Sequence, residues 1–277
     1  MSRPPVNVDW TCPVCRGALG PGEKARVCPR GHAFDVAREG YLHLVPGGVR
    51  GKLVGDSAEM LAARRRFLEA GHYQPLRALL VERVARRDAR VVLEAGCGEG
   101  HYVGGLGEAL PGVRTLGTDV AKDAIRLAAR RYRATSFAVA DTSRLLPLPD
   151  GSVDVLLDVF APRNAAEFAR VLRPGGQLVV VHPEVEHLHE LNQVHTIMRV
   201  EPEKARHLDE QMAADFTPDA AEVLHIPMNL QGTALVDMVA MTPNARTLTD
   251  EQRQGIAQAG PLTVTARMRV ATFTRRL

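Results

Sequence analysis

Four residues near the N-terminus have the types and spacing of a zinc site. Cys12 and Cys15 form a C-x-x-C pair, and the run CPRGH supplies Cys28 and His32 as a second pair. Zinc takes four such ligands in a tetrahedron, and two tight turns can provide them without a large core. A redox C-x-x-C pair is the alternative, but such pairs open a helix within a larger βαβ fold. The spacing therefore predicts structural zinc, with no ligand position left open for catalysis.

A glycine-rich loop is the second feature whose residues could take part in binding or chemistry. The run Glu94-Ala-Gly96-Cys97-Gly98-Glu99-Gly100 follows a short apolar segment and precedes a predicted helix. Its glycines let the backbone turn sharply and approach a ligand, and the helix N-terminus offers free N–H groups. A dinucleotide fingerprint would require glycine at the position of His101. The pattern instead favours an adenosyl ligand without a pyrophosphate.

Three carboxylates each end a predicted strand. Asp119 is placed to accept both hydroxyls of a ribose, and Asp141 is placed to contact an adenine amino group. Asp158 ends the next strand, at the mouth of the sheet where a substrate would meet the cofactor. Asp119 and Asp141 have an alternative role as caps of the following helix, and Asp158 has a purely structural alternative.

These residues need a scaffold, and the apolar pattern predicts one. Apolar runs alternating with helical segments predict a parallel sheet covered on both faces, hence an α/β fold. The last third differs, with a helix at 203–215, a possible strand at 222–228 and an alternating strand at 262–274 typical of an antiparallel pairing near a sheet edge. The predicted parallel strands are 90–94, 114–118, 136–140, 153–158 and 177–182, and helices are predicted at 57–68, 75–86, 103–110, 122–133 and 165–172.

Composition limits the function classes. The chain has 277 residues, of which 45% are hydrophobic. Its formal net charge of +3 is too small to indicate a nucleic-acid partner by itself. Residues 1–10 have no apolar core of a signal peptide, and no apolar run approaches the roughly 18 residues of a membrane span. The cysteines are not spread as a disulfide framework. We therefore expect a cytoplasmic protein with no membrane partner.

The glycine loop, Asp119 and the turn Arg173-Pro-Gly-Gly176 resemble class I, Rossmann-like S-adenosylmethionine (SAM) methyltransferases. A closer resemblance, to the RlmA family, covers nearly the whole chain. It is carried by both zinc-ligand pairs, by residues 33–35, 39–44, 55–57, 60, 63–64 and 67–76, and by Phe160-Ala-Pro162. It implies a class I methyltransferase with an N-terminal zinc-ribbon-like module. The expected division is a zinc-binding module at 1–46, a linker and helix at 47–75, with Gly47, Gly48 and Gly51 as a joint, and a methyltransferase domain at 76–277.

The resemblance also implies a substrate. The family methylates N1 of a guanine in a 23S rRNA hairpin at the wall of the peptide exit tunnel, and its zinc module is thought to help recognise RNA. The expected cofactors are SAM and Zn²⁺, the expected partner is the 23S rRNA hairpin, and a homodimer is left open. An Arg- and Ala-rich composition suits the branch that protects producers of tylosin- or mycinamicin-type macrolides, although no single residue shows which guanine is modified.

Two cofactor contacts follow from the resemblance alone, namely Tyr73 and His187. Without the resemblance, Tyr73 would be interpreted as a half-buried aromatic residue of the core. A metal site is the alternative for His187, His189 and His195, but no carboxylate lies at metal-ligand spacing from them. The complete set of expected cofactor contacts is Tyr73, Glu94, Gly96, Gly98, Glu99, Gly100, His101, Asp119, Asp141 and His187.

Methylation of guanine N1 sets a chemical requirement, because neutral guanine carries a proton there. A base must remove that proton, and Asp158 and His182 are the two candidates. Arginines that could hold RNA phosphates also have an alternative role on solvated helix faces; they are Arg64, Arg65, Arg66, Arg126, Arg130 and Arg133.

Two other function classes remain open. A methyltransferase acting on a small molecule such as an antibiotic would use the same fold and cofactor, although small substrates seldom need zinc knuckles. A non-catalytic zinc-containing RNA-binding protein would have lost its cofactor loop. The intact Gly96, Gly98, Gly100 and Asp119 disfavour the second class.

Overall fold

The structure is a computed structural model, and it describes residues 10–46, 55–194, 208–242, 245 and 249–277. Three short strands come first: β1 (Ala25–Val27), β2 (Ala33–Asp35) and β3 (Leu42–His43). Two helices follow, α1 (Ala58–Glu69) and α2 (Gln74–Arg86). The remaining elements are β4 (Val91–Ala95), α3 (His101–Ala109), β5 (Arg114–Asp119), α4 (Lys122–Arg131), β6 (Ser136–Val139), β7 (Val153–Val159), α5 (Ala165–Val171), β8 (Leu172–Pro183), α6 (His189–Val194), β9 (Phe216–Leu230), α7 (Thr233–Ala240), α8 (Asp250–Gln258) and β10 (Leu262–Arg275).

One eight-stranded sheet organises the molecule, in the order β3-β6-β5-β4-β7-β8-β10-β9. Strands β3 to β8 pair in parallel, and β10 pairs antiparallel with both β8 and β9. The predicted α/β fold with a parallel core is therefore confirmed. Because the carboxyl ends of parallel strands meet at one edge, β4, β5, β7 and β8 deliver their last residues to a common cleft.

The parallel strands form because they are buried on both faces. Every residue of β4 is buried, and β7 and β8 consist largely of buried valine and leucine, which suit an extended, crowded backbone. Helix α1 begins at Ser57, whose Oγ accepts a hydrogen bond from the Met60 backbone N–H at 3.2 Å. This cap fixes where the helix that crosses the cleft begins.

The cysteine-rich segment is built onto the sheet. Strand β3 pairs in parallel with β6, and the Leu44 backbone N–H continues this pairing to Val139 O at 2.8 Å. The core residues Trp10 and Phe34 belong to the same apolar cluster as Leu93 of β4. The segment therefore shares a core with the central sheet, and the predicted domain division at residue 46 stays a prediction.

Several sequence predictions have a definite outcome. Helices α7 and α8 were not predicted, whereas both antiparallel strands were, and β9 is longer than the predicted 222–228. The predicted joint at Gly47, Gly48 and Gly51 lies outside the described residues, as do residues 203–207 of the predicted helix 203–215. Residues 208–212 of that predicted helix are helical. No helix among the described residues is long and apolar enough to cross a membrane.

Candidate functional site

The four predicted zinc ligands converge. The ligand atoms of Cys12, Cys15, Cys28 and His32 all lie within 4.8 Å of one another. The Cys28 Sγ to His32 Nδ1 distance is 3.3 Å, and the Cys15 Sγ to Cys28 Sγ distance is 3.6 Å. Zinc–sulfur bonds of about 2.3 Å in a tetrahedron require ligand separations of this size. The donor set therefore fits a closed structural zinc ion.

The glycine loop has the backbone that its sequence requires. Gly96, Gly98 and Gly100 all have positive φ, at 75°, 52° and 75°, a region that L side chains rarely adopt. A Cβ atom at Gly96 would also lie 2.5 Å from the Ala161 Cβ atom. Glycine at position 96 therefore allows the loop after β4 to approach the loop after β7 across the cleft.

Asp119 is hydrogen-bonded to the backbone and also lines the cleft, and its predicted contact with a ribose stays a prediction. Its carboxylate accepts hydrogen bonds from the backbone N–H groups of Gly98 at 2.9 Å and of Ala121 at 2.8 Å. The side chain also lines the cleft, where a ribose would lie. Burial raises the pKa of this carboxyl, and the two N–H groups oppose the rise. Asp119 thus links the glycine loop to α4 and still faces the cavity.

A cavity of about 1330 Å³ lies in the cleft. Ligand pockets commonly measure about 300–1,000 Å³, so the space is sufficient for a cofactor together with a substrate group. Of the predicted site residues, those lining it are Tyr73, Glu94, Gly96, Gly98, Glu99, His101, Asp119, His182 and His187, whereas Gly100, Asp141 and Asp158 do not line it.

Asp141 is engaged in its own turn. Its Oδ1 accepts hydrogen bonds from the Ser143 N–H at 3.1 Å and Oγ at 2.5 Å, and its Oδ2 lies 3.3 Å from the Arg144 Nε. The next element after Asp141 is strand β7, so this side chain holds a turn and does not cap a helix, and the adenine contact stays a prediction.

Three buried or half-buried ionisable groups line the cavity, Glu94, His101 and His187. Burial raises the pKa of Glu94 to about 8, while its carboxylate accepts the Val103 backbone N–H at 2.9 Å. Burial lowers the pKa of His101 and of His187 to about 4, so both rings are neutral at pH 7. The His187 Nδ1 lies 2.9 Å from the Arg267 carbonyl oxygen, which can only accept, so Nδ1 carries the ring proton. These groups offer a ligand polar contacts rather than charge.

The region of the cavity near the ends of β7 and β8 contains polar groups without partners. Within the described residues, both oxygens of Asp158, the Nε of Arg163 and the Nε2 of His182 are buried and have no hydrogen-bond partner. The Arg163 Nε lies 3.6 Å from Asp158 Oδ1, and Arg163 and His182 line the cavity above Asp158. Burial raises the pKa of Asp158 to about 8, although Arg163 opposes this. Asp158 therefore lies beneath the cavity wall rather than in it.

Sequence reasoning did not single out Arg163, and treated Phe160 only as part of the family resemblance. Phe160 follows β7, lines the cavity and is 43% exposed. An aromatic residue and an arginine just after a strand-end carboxylate are the signal that would have identified them. The predicted phosphate-holding arginines are mostly paired with carboxylates, as Arg64–Asp56, Arg65–Glu99, Arg66–Asp237, Arg126–Asp123 and Arg130–Glu39.

Comparisons with known proteins agree with this geometry. Residues 10–51 match the family described as RlmA, N-terminal, and residues 92–176 match a methyltransferase domain. A Streptomyces fradiae protein named 23S rRNA (guanine(748)-N(1))-methyltransferase is 40% identical, over 84% of each chain. A Micromonospora griseorubida protein, provisionally named as a 23S rRNA (guanine-N1)-methyltransferase, is 39% identical over 95% of this chain and 96% of its own length.

A solved structure shows the fold alone. The YcgJ protein of Bacillus subtilis is 16% identical, with a TM-score of 0.51 over 73% of this chain and 98% of its own. The likeness to YcgJ supports the arrangement of strands around the cleft and carries no information on the substrate.

Proposed function

The chain belongs to the RlmA family of methyltransferases, and from this membership we propose that it methylates N1 of a guanine in a 23S rRNA hairpin. It is a SAM-dependent methyltransferase whose zinc ribbon holds Zn²⁺ through Cys12, Cys15, Cys28 and His32. Bound SAM supplies a methyl group on a sulfonium centre that accepts an electron pair from the substrate.

One observation carries the proposal, namely that the cavity has two chemically different ends. Asp119 ends β5 and His182 lies near the end of β8, with β4 and β7 between these two strands, and both side chains line the cavity. The glycine loop lies with Asp119, to which Gly98 is hydrogen-bonded, and Arg163 follows β7. The first end suits the adenosyl part of SAM, and the second suits a substrate group that brings its own hydrogen-bonding atoms. A guanine presents such atoms on its Watson–Crick edge when it is flipped out of a hairpin.

His182 is the proposed base for the N1 proton. Its Nδ1 lies 3.1 Å from the Pro183 carbonyl oxygen, which can only accept, so Nδ1 carries the proton and Nε2 keeps its lone pair. Burial lowers the pKa of His182, so the ring is neutral at pH 7. Of the two candidates, His182 lines the cavity and Asp158 does not.

The zinc ribbon is the proposed second contact with the RNA. Its surface carries the exposed cations Arg16, Lys24, Arg30 and Arg38. A hairpin is too large for one cavity, and a cationic surface attached to the sheet would grip its phosphates while the base enters the cleft. Binding that depends on phosphate contacts weakens steeply with added salt.

The decisive experiment is methylation of 23S rRNA hairpin fragments with methyl-labelled SAM, followed by mapping of the modified base. We expect label at one guanine and a block to reverse transcription there, since N1 methylation removes a Watson–Crick donor. A hairpin with adenine at that position is the control and should take up no label. Transfer of the label to a macrolide, with none to RNA, would instead favour a methyltransferase that acts on a small molecule.

We further propose that the protein methylates rRNA in the cytoplasm and that this methylation gives resistance to tylosin- or mycinamicin-type macrolides. Its support is the similarity to the Streptomyces and Micromonospora proteins over most of each chain. Expression in a macrolide-sensitive host should raise tolerance to these drugs only if His182 is intact. Equal sensitivity of hosts carrying the wild-type chain and His182→Gln would contradict it. The homodimer stays a proposal to be tested by the mass of the chain in solution.

A further inference from the structure

Arg163 is a cation that faces the cavity with little to hold it there. Its side chain is 21% exposed, and its recorded ion pair is the one with the fully buried Asp158, at 3.6 Å from Nε. That distance exceeds hydrogen-bond length, and the described residues offer its Nε no other partner. Asp158 therefore lies behind the guanidinium without a hydrogen bond to its Nε, and the Arg163 side chain lines the cavity.

Phe160 lies beside it on an unusual backbone. Its φ is +57°, in the left-handed region that is strained for a non-glycine residue and that is concentrated at functional sites. The Phe160 backbone N–H donates to Val181 O at 3.0 Å, which fixes this turn next to His182. The ring remains 43% exposed, and its centroid is 6.5 Å from that of Tyr73. The strain thus holds an aromatic face at the cavity wall.

His182 is a weak base, so proton removal by it requires a nearby cation such as Arg163 to stabilise the negative charge that forms on guanine. The burial of the imidazole, with the nearby charges of Arg163 and Arg269, lowers its pKa, and only the Pro183 carbonyl and Glu184 oppose this. A weak base removes a proton from guanine N1 efficiently only if the resulting negative charge is stabilised. In a guanine anion that charge is shared between N1 and O6, so a cation at O6 makes the N1 proton more acidic.

We infer that Phe160 and Arg163 form the subsite for the target guanine, with the ring stacked on Phe160 and O6 bound by the Arg163 guanidinium. This inference rests on the proposed function. In the step, the N1 proton passes to the His182 Nε2, and the N1 electron pair forms the bond to the methyl carbon. The electron pair of the broken carbon–sulfur bond stays on sulfur, and the proton on His182 leaves to solvent.

The first test replaces the cation. Arg163→Met should lower kcat on the hairpin by about 10²–10³-fold, the usual cost of removing one donor to a developing oxyanion. The deficit should shrink as pH rises, because guanine then loses its N1 proton without help. Calorimetric affinity for SAM should remain at the wild-type value. Arg173→Met is the matched control, since Arg173 pairs at 2.6 Å with Asp154 at the opposite end of β7.

A binding measurement gives a readout independent of turnover. Guanine and 2-aminopurine at the target position of the hairpin differ in O6 and in the N1 proton, both of which 2-aminopurine lacks. Wild-type enzyme should bind the guanine hairpin more tightly, and Arg163→Met should lose the part of this preference that comes from O6. A variant that retains the wild-type preference would overturn the O6 contact.

The second test removes the aromatic face. Phe160→Gly suits the positive φ, so it should fold, and it should raise KM for the hairpin by roughly 5- to 150-fold if stacking on the base is lost. Phe160→Tyr keeps a ring and should stay near the wild-type KM. An unchanged KM in Phe160→Gly would overturn the stacking role.

The failures of the two proposals can be told apart. If the wild-type chain does not methylate the hairpin guanine, the proposed function fails and the subsite fails with it. If it does, but Arg163→Met retains its rate at every pH, the subsite alone is wrong.

Discussion

The two ends of the cleft are built on different principles. At the end proposed for the ribose, which is lined by Gly96, Gly98 and Asp119 and is called the ribose end below, the Asp119 carboxylate accepts two backbone N–H groups. At the proposed reaction end, which is lined by Phe160, Arg163 and His182, Arg163 and His182 have buried nitrogens that lack hydrogen-bond partners among the described residues. Such atoms are costly to bury, so a site that leaves them unpaired is one that a substrate is expected to complete.

The contrast predicts that damage to the two ends will have different signatures. Changes at the ribose end should weaken SAM binding, because the glycine loop and Asp119 are the proposed contacts of the cofactor. Changes at the reaction end should lower turnover and leave SAM binding intact. The zinc ribbon belongs with the ribose end, since β3 pairs with β6 and β6 pairs with β5, which carries Asp119.

The largest expected effect comes from the zinc ligands. Cys12→Ser and Cys28→Ser should each lose the metal, because structural zinc supplies about 10–16 kcal/mol of apparent binding energy in small zinc domains. With the ribbon unfolded, β3 should leave the sheet edge, and SAM affinity should fall together with the melting temperature. Metal content by mass spectrometry and SAM affinity by calorimetry measure both consequences.

Val14→Ser is the control for the zinc variants, since Val14 lies in the same turn and is 54% exposed. It should keep the metal, and full metal content in both cysteine variants would refute the zinc assignment. A chain starting at Gly51 is a poorer test, because removing β3 and the apolar cluster around Phe34 would uncover the central sheet. The ligand variants keep the chain complete.

The next effect concerns the reaction end. His182→Gln should lower kcat by about 10²–10⁴-fold, the usual contribution of a general base, with unchanged affinity for SAM. The charged groups that influence His182 are Arg163, Arg269 and Glu184, and its pKa lies below 6.5. In the wild-type enzyme kcat should therefore fall as pH drops through that lowered pKa and be flat above it.

A pH–rate profile of single turnovers is the measurement for His182. The variant should lack the acid limb that the wild-type enzyme shows. An acid limb preserved in His182→Gln would assign the titration to another group, with Asp158 as the first candidate.

The same contrast explains what the sequence could and could not predict. The zinc ligands and the glycine loop are local patterns, so short spacings identify them. The reaction end depends on which strands become neighbours, since Phe160 meets Val181 only through the pairing of β7 with β8. Asp158 was correctly placed at a strand end, but its depth below the cavity depends on packing that no spacing encodes.

A smaller effect is expected at Asp119. Asp119→Ala should weaken SAM binding by about 1.5–3 kcal/mol, the scale of a hydrogen bond to a charged group. Part of this loss comes through the loop, because the Gly98 and Ala121 N–H groups lose their acceptor. Asp119→Asn keeps one acceptor oxygen and should lie between Ala and wild type. If calorimetry gives the wild-type SAM affinity for Asp119→Ala, the prediction that changes at the ribose end weaken SAM binding is wrong.

The smallest effect, at Asp141, tests whether a strand-end carboxylate alone makes a cofactor contact. The Asp141 carboxylate does not line the cavity, and it is occupied by Ser143 and Arg144. Asp141→Ala should therefore change SAM affinity by less than about threefold, or roughly 0.6 kcal/mol. It should lower stability by about 0.5–1.5 kcal/mol through the lost turn hydrogen bonds. A tenfold loss of SAM affinity without a change in stability would restore the adenine contact and extend the ribose end to β6.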